Sequence, residues 1–135
     1  MASSADKAQW DEEEIVALLD YLLDHKSAIG EAGSFKMPTF KAAADSISGL
    51  LVNGPIKTGK MCKTKWRTLK STYSAIQKYQ ESLGMHWDYT AGASIETEKE
   101  EEVWKNYVKH KPNAPLKPFR TKGWKYLLKF EAIIP

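Results

Sequence analysis

Lys57, Lys60, Lys63, Lys65, Arg67 and Lys70 place six cations in fourteen residues with no carboxylate among them. The chemistry open to such a run is neutralisation of a polyphosphate. Each phosphate met by Lys or Arg releases condensed counterions, so binding is strong at low salt and weakens as salt rises. A solvated, charge-rich helix face is the ordinary alternative, and charge alone does not separate the two. Other chemistries have less to stand on. His25, His86 and His110 are widely separated and no Cys-x-x-Cys accompanies them, so no metal site is expected. No Gly-rich phosphate loop follows a strand and Gly-x-Ser-x-Gly is missing, so neither catalysis, a cofactor nor a small-molecule substrate is expected. The single cysteine, Cys62, has apolar neighbours and reads as a buried thiol.

The element that must carry the cations is a long helix from about Lys60 to Ser82, with no proline or glycine before Gly84. At about 100° per residue, Cys62, Trp66, Leu69, Tyr73 and Ile76 fall within an arc of about 80°. Lys60, Lys63, Arg67 and Lys70 fall in another such arc, centred about 120° away, and Thr64, Thr68 and Ser71 extend it. One side is built for burial and the other for an anion.

Earlier segments supply the packing partners. Asp11, with Glu14 three residues on, forms a capping box for a first helix over about 11–27, and Trp10 can staple onto Ile15. Ile15, Leu18, Leu19 and Leu22 give its apolar stripe. A shorter helix follows, capped by Thr39, with the stripe Phe40, Ala43, Ala44 and Ile47; its alanines let a neighbour approach closely. Residues 52–59 are turn chemistry. Beyond Gly84, Trp87 is placed to plug a core, and Thr97 with Glu100 opens an acidic fourth helix through Val103, Trp104, Tyr107 and Val108. A proline-rich link over 112–118 leads to a short last helix with Trp124, Leu127 and Leu128 facing inward. The expected fold class is therefore all-α.

Length and composition agree with one domain. The chain has 135 residues, 42% of them apolar, enough to fold without disulfides or metal. Its net charge of +3 conceals alternation: residues 1–34 sum to −6, 35–80 to +8, 81–104 to −6 and 105–135 to +7. Such segregation suggests a surface with one side that attracts polyanions. No run reaches the 18 apolar residues that would span a bilayer, and the N-terminus lacks the apolar stretch of a secretory signal and the Arg-rich pattern of a transit peptide. No membrane partner is expected, and the location expected is nuclear or cytoplasmic. Tyr79, Tyr89 and Tyr126 could stack on unpaired bases, although core filling explains most aromatics at helical spacing. Lys117, Arg120, Lys122 and Lys125 form a second cationic cluster, suited to a DNA backbone or to pairing with the acidic first helix.

Trp10 with Glu12-Glu13-Glu14 and Leu18-Leu19, the Ala-rich second helix, and Cys62-Lys63-Thr64-Lys65-Trp66-Arg67-Thr68-Leu69-Lys70 with Tyr73 together resemble the Myb/SANT-like DNA-binding domain. The form most like it occurs in fungal and plant proteins and among accessory proteins of Harbinger-type transposons. Gly84, Trp87-Asp88, Val103-Trp104 and Tyr107 resemble that family's C-terminal extension. Lys117-Pro118-Phe119-Arg120 and Gly123-Trp124 resemble the tail that often follows it, so the likeness covers about residues 10–128.

Residues 1–9 are small and polar and read as a flexible tail; the resemblance implies a three-helix, helix-turn-helix core over 10–83 with one or two further helices over 84–135. It implies that Trp10, Leu18, Phe40 and Trp66 are core and that the third helix enters the DNA major groove. Lys57, Lys60, Lys63 and Lys70 would then meet phosphates, with Thr64 and Arg67 the candidates for base contact. The chain departs from animal Myb repeats in lacking their evenly spaced tryptophans and in having longer connections between the first three helices. The expected role is a nuclear transcriptional or transposon-associated factor binding double-stranded DNA. The alternative is a protein-interaction adaptor docking a transposase-like or chromatin partner. SANT-type relatives that bind histone tails tend to have an acidic third helix, whereas this one is basic.

Overall fold

The structure, a computed structural model, describes residues 8–134. Five α-helices make up its frame: α1 (Glu12–Asp24), α2 (Met37–Ile47), α3 (Gly59–Leu83), α4 (Glu98–Lys109) and α5 (Leu127–Ile133). Short 3-10 turns follow α1 at Lys26–Ala28 and α2 at Ser48–Leu50, and a longer one spans Lys111–Phe119. No strand occurs among the described residues, so the fold is all-α.

Local chemistry explains most helix boundaries. α1 begins at the expected capping box: Asp11 caps, and Glu14 Oε1 accepts from the Asp11 backbone N–H at 3.1 Å. It ends at Asp24, earlier than its expected end. α2 starts two residues before the expected cap, with Lys36 at the N-cap and Pro38 in the first turn. Proline fits there because first-turn N–H groups have no intrahelical acceptor, so Thr39 lies inside the helix. The Thr58 hydroxyl accepts from Met61 N at 3.2 Å and starts α3. The segment read as a proline-rich link is a nine-residue 3-10 helix, which Pro115 and Pro118 enter without breaking.

The chain divides into two compact units, and the division falls within α3 rather than after it. The first comprises the described residues up to Arg67 together with those from Lys129; the second runs from Thr68 to Leu128. α3 therefore contributes residues 59–67 to the first unit and 68–83 to the second.

In the first unit, Leu18, Leu19 and Leu22 of α1 and Phe40, Ala43, Ala44 and Ile47 of α2 are buried with Cys62 and Trp66 of α3. The Trp66 ring stacks on Phe130 of α5 at 4.8 Å between centroids and meets Phe35 edge-on at 5.4 Å. Its Nε1 donates to the Gly33 carbonyl at 3.3 Å. An ion pair, Lys129 to Asp20 at 2.6 Å, joins α5 to α1.

The second unit is organised on Tyr79, whose ring meets Trp87, Trp104 and Tyr107 at 5.7, 5.8 and 5.7 Å. α4 opens on the expected capping box, with the Thr97 hydroxyl accepting from Glu100 N at 3.1 Å and Glu100 Oε1 accepting from Thr97 N at 3.0 Å. Residues 88–95 pair with 119–123 through Ala93 N to Phe119 O, Ile95 N to Arg120 O and Gly123 N to Thr90 O. A Cβ on Gly92 would overlap the carbonyls of Phe119 and Lys122, so only glycine permits that approach. Asn113 is buried and bonded: its Nδ2 donates to Tyr107 O and its Oδ1 accepts from Lys78 Nζ. Leu128 corrects the expected inward face of the last helix. It is 64% exposed, while Phe130 and Ile133 turn inward in its place.

Candidate nucleic-acid interface

The candidate interface is the exposed side of the first turns of α3, in the first unit. Cys62 and Trp66 are wholly buried, and this anchors the rotation of the helix. Lys60, Lys63, Thr64 and Arg67, spaced at i, i+3, i+4 and i+7, are consequently exposed together. Among the described residues Lys60, Lys63 and Arg67 carry no ion pair to a carboxylate. Lys70, further along the helix, is half-buried and belongs to the second unit.

Lys57 is a correction. Expected on phosphate, it is 4% exposed, and its Nζ pairs with Glu14 Oε2 at 2.7 Å while donating to the Gln9 carbonyl. The cause lies in the first capping box. Glu14 is buried with one oxygen on the Asp11 N–H, and the other needs a cation to offset its desolvation. Lys57, at the end of the loop before α3, supplies it.

Trp10 is also corrected. It is half-buried, not core, and its ring lies 5.3 Å from Lys57 Nζ and 5.6 Å from Lys65 Nζ. Two ammoniums on one indole keep it at the boundary with solvent. Burial, and then the neighbouring Lys57, hold the Lys65 ammonium below its usual pKa. Burial pushes the Cys62 thiol up to about 11 despite the nearby Lys57, so the thiol is protonated at neutral pH.

Sequence reasoning missed Lys41. A Cβ on Gly59 would lie 2.7 Å from Lys41 Cγ and 3.1 Å from its backbone N, so α2 presses its Lys41 turn against the first residue of α3. Lys41 is exposed there. It stands alone on α2, and the one signal available was the glycine opening the basic helix.

The remaining candidates separate. Tyr79 and Tyr126 are buried in the second unit, which removes them as stacking platforms; Tyr89 is exposed. Of the C-terminal cluster, Arg120 pairs with Glu101 of α4 at 2.5 Å, and Lys125 Nζ lies 5.8 Å from the Tyr126 ring. Among the described residues no group of His, Cys, Asp and Glu could hold a metal ion, and no helix is long and apolar enough to cross a membrane.

The family model for the Myb/SANT-like DNA-binding domain matches residues 7–126, nearly the whole chain. No curated protein and no solved structure gives a match.

Proposed function

The chain belongs to the Myb/SANT-like DNA-binding domain family, and we propose that it binds double-stranded DNA through the first turns of α3 laid in the major groove. Lys60 and Lys63 meet phosphates, and Lys41 adds a third phosphate contact from α2. Arg67 reaches guanine O6 and N7, and Thr64 meets a thymine methyl. One observation carries the reading: cations that are exposed and, among the described residues, unpaired lie on a different side of α3's first turns from a buried indole. A helix about 10–12 Å across fits the groove, and a helix anchored by its aromatic side offers the cations without rearrangement. The role we propose is a non-enzymatic nuclear factor of transcription or of a transposon.

Selection of bound duplexes from a random pool tests the class, with an enriched motif expected. Absence of enrichment supports the adaptor reading instead, in which the same cations dock an acidic protein. Lys63→Glu with Arg67→Glu is expected to abolish duplex binding while helical circular dichroism stays unchanged. Retained binding would locate the interface elsewhere.

A further inference from the structure

We infer that the second unit has a phosphate-binding surface of its own, at the end of α4, and that nucleic-acid backbone is its ligand. Residues 103–128, all in that unit, carry seven Lys and Arg and no carboxylate. The fold gathers three cations of the unit at one place. Lys78 of α3 donates from Nζ to Asn113 Oδ1 at 3.2 Å. Its ammonium is thereby set beside the chain that carries Lys109, the last residue of α4, and Lys111, the first of the 3-10 helix that follows. All three lysines are exposed. Lys105 stays outside the group, because it lines a shared depression with Glu98, Glu101 and Glu102 instead.

Cations at a helix C-terminus ordinarily meet its last carbonyls. Here Asn113 does so in their place. It is buried, its Nδ2 donates to Tyr107 O at 3.0 Å, and its backbone N donates to His110 O at 2.9 Å. The Lys109 and Lys111 side chains consequently have no ion pair among the described residues. Glu81, one turn beyond Lys78, makes none with it either. The surroundings then select the ligand. Among the described residues no large apolar side chain is exposed along 57–82 or 104–127, so a protein partner would find no anchor for the dry centre an interface needs. A duplex needs none, since it offers one charge per about 1.7 Å of its axis and lysine meets phosphate as a point charge. In one respect the inference rests on the proposed DNA contact of α3: three lysines alone grip DNA weakly, so the surface adds to nucleic acid that α3 already holds.

The test uses the full chain with duplexes of about 10 and about 40 base pairs, one and four helical turns. The longer duplex is expected to steepen the slope of log affinity against log salt by up to about 2.7, three contacts at about 0.9 each. Lys109→Gln with Lys111→Gln should make the long-duplex slope shallower by about 1.8 while helical circular dichroism stays unchanged. Lys117→Gln with Lys122→Gln removes the same charge elsewhere in the unit and is expected to leave the slope as it is. A second equivalent of short duplex that the Lys109 and Lys111 substitutions remove also supports the inference, with a separate molecule as the source of the phosphates. Any of three results overturns it. The first is equal long-duplex slopes in parent and Lys109/Lys111 variant with no second equivalent. The second is an equal loss in the Lys117/Lys122 variant. The third is a poly-glutamate peptide held through Lys109 and Lys111 more tightly than duplex, which would make an acidic protein the ligand. Failure of the α3 reading has another signature, retention of duplex binding by Lys63→Glu with Arg67→Glu.

Discussion

Lys57 and Lys65 both lie over the ring of Trp10, and their surroundings give them different work. Lys57 neutralises a carboxylate that α1 buries in its own first turn. Removing one member of such a pair leaves the other charged and dry, so Lys57→Ala is expected to cost about 3–5 kcal/mol by urea unfolding. Replacing both, as Glu14→Leu with Lys57→Met, should recover most of that loss, because the two desolvation costs vanish together. The folded fraction of Lys57→Ala should bind duplex as the parent does. Cys62 offers a second check. Wholly buried, with its thiol pKa raised to about 11, it is expected to resist a disulfide-exchange reagent at pH 8 and to react in urea. The Tyr107 hydroxyl is buried with no hydrogen-bond partner among the described residues, so Tyr107→Phe should leave the melting temperature unchanged or raise it.

Helix ends with paired capping residues are where sequence and structure agree most closely. Asp11 with Glu14 and Thr97 with Glu100 announce α1 and α4, and a regular apolar spacing then carries each helix. The Glu100 carboxyl is held below its usual pKa, chiefly by the Thr97 backbone N–H and then by that of Glu96. A carboxylate whose pKa is depressed by folding contributes stability above its unfolded value, here 4.5, and loses it as pH falls through the lower folded value. Stability should therefore decline below pH 4.5, and Glu100→Gln should flatten that decline in melts run from pH 7 to pH 3. Thr97→Ala should cost about 1 kcal/mol at neutral pH. Where periodicity is short or absent, the sequence is silent. α5 has seven residues, too few to show whether Leu128 or Phe130 faces in. The prolines of 111–119 disguise a 3-10 helix as a linker. Lys60, Lys63 and Arg67 were legible because α3 extends their spacing over many turns. Lys57 was not, because it precedes the helix and its partner lies in α1.

At the scale of the molecule, α3 contributes in turn to two hydrophobic cores, and the exposed cations of its first turns belong to the unit that buries Trp66. The proposed phosphate contacts of Lys41, Lys60 and Lys63 imply a slope near −2.7 for log affinity against log salt concentration. Alanine at any one of the three should make that slope shallower by about one, uniformly across duplex sequences, whereas Arg67→Ala should relax preference at a single base pair. The stacking of Phe130 on Trp66 has a further consequence. Synthesis proceeds from the N-terminus, so the ribosome delivers every helix around that indole before the ring that covers it exists. A premature stop codon anywhere in the second unit would leave bare the indole face that Phe130 covers, and the truncated product would present an apolar surface to quality control even with the exposed lysines of α3's first turns intact.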